Sequence, residues 1–218
     1  MAKIHSHTRY ADLVTRAAVR EPRQGRSRAT RVRLLDTAVQ VLAELGWQGG
    51  TVTVVAGRVG LSRGAVQHHF PTREDLFTAA IDYMAGDRLA RARLDQALIP
   101  EGPGRTEAVI EAIIATFRGP LYRAALQLWV AAADNVELRA KVLPLDERIT
   151  HATYEMTVEL LRADLSLPGA HEAVLATLEL ARGLGISDLL DADPARRRPV
   201  VRQWAASLDI VLGGGATR

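Results

Sequence analysis

The chain has 218 residues and no cysteine. That removes disulfides, thiolate metal sites and cysteine nucleophiles at once, and it is compatible with a reducing compartment. No apolar run approaches the roughly 18 residues a membrane-crossing helix needs, so a cytoplasmic protein without a membrane partner is expected. The opening stretch scatters Lys3, Arg9, Asp12, Arg16 and Arg20 where a secretory signal would carry an apolar block. Phosphate-binding loop and His-Glu-x-x-His helix are both missing. Carboxylates such as Asp134, Glu137, Asp146 and Glu147 look like solvated faces, so no catalytic residue, metal or cofactor is expected. Internal repeats are absent, and the one low-complexity tract is Gly213-Gly214-Gly215.

What is present is apolar content of 48% and a net charge of +3 that is unevenly placed. From Lys3 to Arg33 nine basic residues face only Asp12 and Glu21. Such an end suits a polyanion, nucleic acid first, although a solvated leader fits the charge equally well. Residues 1–26 are expected to form a flexible basic extension, with any short helix ended by Pro22 and Gly25. As an arm, this extension would reach phosphates or the minor groove, and its removal would flatten the salt dependence of DNA binding.

Apolar residues then recur at helical spacing almost throughout, which predicts an all-α fold. Val32, Leu35, Val39, Leu42 and Leu45 mark a first helix that stops at Gly46. Thr51 caps a short helix to Val59, and Ser62 caps another ending near Phe70. Thr72 and Asp75 form a capping box for a helix over 72–98. Further helices are expected over 105–118, 121–133, 136–165, 170–190 and 194–212. Pro144 should kink or break the third of these, and Pro199 is an alternative start for the last.

The chemistry lies in Thr51–Leu76, TVTVVAGRVGLSRGAVQHHFPTREDL. Two short helices around the Gly60-Leu61-Ser62 turn make a helix-turn-helix. Val55, Ala56, Val59, Leu61, Val66 and Phe70 can form its small core, leaving Arg63, Ala65, Gln67, His68 and His69 to face a major groove about 12 Å wide. Arg can bridge guanine O6 and N7, Gln adenine N6 and N7, and Ala can touch a thymine methyl. Thr51 sits where hydroxyl and amide groups suit a phosphate, and Arg73 would need one to offset the dipole of the helix it starts. Gly64 reads as a concession to tight helix packing before a DNA role. Gly57 is unfavourable in so short a helix unless another helix lies close. Adjacent His68 and His69 point about 100° apart, which argues against a shared metal.

Ala56, Gly60, Ser62, Gly64, Val66, His68, Phe70, Pro71, Glu74 and Leu76 fall where the TetR family of bacterial regulators has its N-terminal pattern. The chain resembles that family over Arg28 to Met84. Arg73 stands for the usual Lys, Gln67 for the usual Tyr, and His69 for the usual aromatic, so Gln67 is placed to read a base or the backbone. The resemblance implies a three-helix DNA-binding domain over 27–72 and a helical effector-binding and dimerising domain over 73–218. The DNA-contacting set is then Thr51, Ser62, Arg63, Gly64, Ala65, Gln67, His68, His69 and Arg73.

The resemblance also implies that the last two helices pair with their symmetry mates as a four-helix bundle, through Leu178, Arg182, Trp204, Leu208 and Val211, although ordinary core within the chain serves for the same face. A homodimer also matches a pseudo-palindromic double-stranded operator, because one short helix reads few bases. An unidentified, hydrophobic small-molecule effector would sit among Met84, Phe117, Tyr122, Leu126, Trp129, His151 and Tyr154, although ordinary core packing serves for each of them. The function so implied is a repressor released by that effector. Alternatives are a ligand-independent DNA-binding protein, an activator, a helical adaptor that binds only protein, or an all-helical enzyme with an unrecognised site.

Overall fold

The computed structural model describes the backbone of residues 8–213 and side chains from Ser27 onward. The described residues form nine α-helices and no strand: α1 (Thr8–Gly49), α2 (Val52–Val59), α3 (Arg63–His69), α4 (Arg73–Leu94), α5 (Arg105–Thr116), α6 (Gly119–Ala133), α7 (Val136–Leu161), α8 (Ala170–Ser187) and α9 (Pro194–Val211). A 3-10 turn, Asp95–Leu98, extends α4. No described helix is long and apolar enough to cross a membrane.

Helix ends follow local chemistry. The side chains of Thr51, Ser62, Asn135 and Asp193 accept hydrogen bonds from first-turn amides, which otherwise have no helical partner. Thr72 and Asp75 close the expected capping box, with bonds of 3.1 and 3.2 Å. At Gly46 the backbone leaves helical geometry (φ 65°, ψ −177°), so the first helix does stop there before a final turn to Gly49.

Two expected interruptions do not occur. The helix α1 passes through Pro22 and Gly25, and α7 passes through Pro144. A proline removes one amide bond and leaves the rest of a long helix in place, and Pro144 is exposed, where its ring meets least resistance. Pro199 likewise lies within α9, which starts at Pro194. The expected basic arm falls partly outside the described residues: nothing is described of residues 1–7, nor of any side chain before Ser27.

Two apolar clusters organise the molecule. In the first, Leu34, Leu35 and Leu42 of α1 pack with Val55 of α2, Val66 of α3 and Phe77 of α4, but also with Leu128 of α6 and Leu138 of α7. The second joins Ile110 and Ile113 of α5, Met156 and Leu160 of α7, Val174 and Leu178 of α8, and Val201 and Leu208 of α9. Each large side chain so buried contributes roughly 1.5–3 kcal/mol. The head expected over 27–72 and the body expected over 73–218 therefore share one core across their border.

Polar ties brace the body. Lys141 on α7 reaches Asp75 at the start of α4 (2.6 Å). Arg88 donates to the carbonyls of Arg118 (2.8 Å) and Ala115 and so closes the end of α5. Arg197, itself buried, links α9 to Glu111 on α5 (3.2 Å) and to Asp188 after α8 (3.4 Å).

Candidate nucleic-acid interface and inner cavity

The turn between α2 and α3 is set by Gly60, which takes the left-handed conformation (φ 72°, ψ 32°) and donates back to α2. Buried Val55, Ala56, Val59, Val66 and Phe70 hold the two helices at a fixed angle. The Arg31 guanidinium lies over the Phe70 ring, 5.0 Å from its centre, and Arg33 donates to the Val59 carbonyl (3.1 Å). These contacts bring basic residues of α1 beside the helix-turn-helix.

Of the residues expected to meet DNA, Ser62, Arg63, Gly64, Ala65, His68 and His69 are exposed on one short helix and its cap. Gln67 and Thr51 are half-buried. The Thr51 oxygen accepts from Val54 N–H (3.2 Å) and that of Ser62 from Ala65 N–H (3.1 Å), which leaves each hydroxyl proton free to be donated outward. The two imidazoles pack edge to face, 5.5 Å between centres. Arg73 stacks on Trp47 at 3.9 Å, and its Nε and Nη2 are buried without a protein partner. Desolvation accordingly lowers its pKa.

The two glycines differ from expectation. A Cβ at Gly64 or at Gly57 would meet no atom within 4 Å, so neither is required by a neighbouring helix of the chain. Tight packing instead belongs to Gly185 on α8, where a Cβ would come within 2.8 Å of Phe117 Cβ.

Between α4, α6 and α7 lies a cavity of about 80 Å³, lined mainly by apolar groups that include Phe117, Tyr122 and Trp129. The rings stack edge to face in sequence, with centres 5.5 and 6.4 Å apart. The Tyr122 hydroxyl donates to the Arg182 carbonyl (3.1 Å), and burial raises its pKa. Asp146 also lines this cavity; burial raises its carboxyl pKa, and the field of Arg182 opposes that rise. An open groove of about 490 Å³ beside α1 shares Arg88, Thr116 and Leu121 with the cavity, so the two are neighbours through one wall.

A family model described as bacterial regulatory proteins, tetR family, matches residues 34–80, the stretch that builds this head. That head is of the TetR family. Among its relatives, the HTH-type transcriptional regulator CymR of Pseudomonas putida is 27% identical over 172 residues, which cover 78% of this chain and 85% of CymR. The structure of Salmonella enterica GusR superposes with a TM-score of 0.61 at 21% identity, over 84% of this chain and 95% of GusR. That of FadR from Bacillus subtilis, solved with stearoyl-CoA, gives 0.57 at 17% identity, over 84% and 97%. The fold likeness thus extends well beyond the head.

The residues expected around an effector divide. Phe117, Tyr122 and Trp129 line the cavity, whereas Met84 lines the outer groove. Leu126 packs in the second cluster. His151 is on the surface, 3.2 Å from Glu155, and Tyr154 is hydrogen-bonded to His171 at 2.6 Å. Neither lines the cavity or the groove: the 100° step per residue turns both away from the face carrying Ile149 and Thr153. Asp146 is the residue that sequence reasoning missed. It steps with Val142, Ile149 and Thr153 along one face of α7, a spacing that marks an inward carboxylate rather than a solvated one.

The expected dimer residues face mostly inward as well. Leu178 and Leu208 are buried in the chain's own core, and Trp204 donates to Thr177 on the facing side of α8 (2.9 Å). Val211 packs against the same cluster, and Arg182 turns toward Phe117 and Trp129. Apolar side chains on both sides of α8 made the two faces indistinguishable by period. The outward face of α8 carries Leu175 and Ile186, with exposed Leu190 just past its end and Val200 and Ile210 on α9.

Proposed function

We propose that this regulator is a homodimeric repressor that binds a pseudo-palindromic operator through α3 and leaves it when a small molecule fills the inner cavity. The observation that carries the reading is the exposed row Arg63, Gly64, Ala65, His68 and His69, with half-buried Gln67 among them, on a helix held rigidly by a buried core. Arg63 and Gln67 supply direct readout, while Thr51, Ser62 and Arg73 serve the phosphates. Two copies joined through the exposed apolar face of α8 and α9 would present two such helices to successive major grooves.

The shared core supports the switch. Helices α4, α6 and α7 wall the cavity, and α4 and α6 also pack on α1 of the head. A ligand that fits one arrangement of these helices better than another shifts the population of heads spaced for DNA by its differential affinity. The stearoyl-CoA complex of FadR supports a ligand site within this fold. Overlap of the operator with a promoter would favour repression over activation.

The test is binding of the purified protein to DNA flanking its own gene, over a salt series, beside the Arg63→Ala/Gln67→Ala variant. Saturable binding to one pseudo-palindrome, lost in the variant, is expected. Weak binding indifferent to sequence and to the substitutions would overturn the proposal.

A further inference from the structure

The inner cavity holds a charge arrangement that goes beyond a generic apolar site. Its aromatic wall is already engaged by a cation: the Arg182 guanidinium lies 5.8 Å from the centre of the Phe117 ring and 5.7 Å from that of Trp129. The Arg182 Nε is buried without a hydrogen-bond partner, while Nη1 is tied to Glu179 at 3.0 Å. An Arg in this state is a poorly satisfied partner of the two rings. Across the cavity Asp146 provides a half-buried carboxylate that feels the same guanidinium.

The other charges nearby point the same way. Arg88, the cationic residue of the cavity lining, is spent on two carbonyls at the end of α5. In the adjoining groove Arg91 is paired with Asp87 at 2.8 Å, and Asp36 and Asp95 add further negative charge. Groove and cavity together are lined by four aspartates and two arginines, in a chain whose net charge is +3. A cleft of the opposite sign to its protein concentrates cations.

The geometry points to an organic cation as the effector: an ammonium head held between the Asp146 carboxylate and the Phe117 and Trp129 rings, with an apolar body reaching toward the groove. This rests on the cavity being the effector site. Aromatic faces attract such heads through their quadrupoles, more strongly in a desolvated site. The incoming head takes the place of the Arg182 guanidinium. Because Arg182 belongs to α8, its release also reaches the helix whose outer face carries Leu175 and Ile186.

Calorimetric titration of the full chain with phenyltrimethylammonium, its neutral isostere tert-butylbenzene, and benzoate tests the inference. The cation is expected to bind about tenfold more tightly than the isostere or more, with benzoate weakest. Asp146→Asn should abolish that preference and leave isostere binding unchanged. Arg182→Met, which removes the internal competitor, should tighten the cation by about tenfold, a gain that a merely structural role for Arg182 would not give. Equal binding of cation and isostere, preference for benzoate, no binding by any probe, or loss of cation binding in a folded Arg182→Met protein would each overturn it. The comparison of the three probes on the unaltered protein stands even if Asp146→Asn fails to fold. Operator binding, measured without any probe, reads the regulator assignment separately. If it is retained while the cation shows no preference, only the present inference fails.

Discussion

Gly64 and Gly86 are both helical, both exposed, and both open to a Cβ that would touch nothing within 4 Å. They differ in place: Gly64 lies in the first turn of α3, Gly86 in the middle of α4. Replacing either with Ala narrows the unfolded ensemble without a clash, so both variants should be stabilised. The gain should be about 0.5–1 kcal/mol for Gly86→Ala and less for Gly64→Ala near its helix end. On DNA the two should part. If the bare surface at Gly64 lets the backbone approach a phosphate, a methyl group there stretches a charge-assisted hydrogen bond. Losing one such bond costs about 1.5–3 kcal/mol, which weakens operator binding at least tenfold. Gly86→Ala should bind as the unaltered protein does. Urea denaturation at fixed protein concentration reads the first effect, and operator titration by fluorescence anisotropy reads the second. A Gly64→Ala protein that binds its operator undiminished would refute the argument that a partner's approach explains this glycine.

Three further outcomes follow from packing and charge. Gly185→Ala should destabilise by about 1–3 kcal/mol despite its better helix propensity, because the added methyl meets the Phe117 backbone carbonyl and Cβ; chemical denaturation gives the value. Asp75 has its pKa lowered, chiefly by the hydrogen bond from Lys141 and then by that from Thr72. Its stabilising contribution is therefore present above the unfolded value near about 4 and fades as pH falls through the lower folded value. Asp75→Ala should cost about 1 kcal/mol at pH 7, a gap that closes in melts run at strongly acid pH. Ile186→Glu with Leu190→Glu should yield a folded monomer in sedimentation, whereas Leu208→Glu, placed in the core, should lose helical signal itself.

The head was legible because its determinants are local. Thr51, Ser62, the Thr72–Asp75 box and Gly60 each act within a few residues, and the structure shows every one in the expected conformation. The body was less so because its choices are tertiary. Period alone places Leu178 and Leu175 on a helix but does not say which of two apolar faces meets the chain's own core. Residue type misled at Asp146, where a carboxylate suggested solvent although its spacing matched Val142 and Ile149. Proline misled at Pro144, since a long helix tolerates one missing amide bond.

The core that runs from α1 through α4 into α6 and α7 bears on how such regulators can be recombined. A chimera cut near residue 72, to join this reader to another sensor, would sever Leu34, Leu35 and Leu42 from Phe77, Leu128 and Leu138. Both fragments would expose apolar surface, and the graft would have to restore a matching lattice of side chains before it could relay anything. Modularity here resides in surface residues: α3 can be rewritten for a new operator and the cavity lining for a new ligand. The frame between them has to be inherited whole.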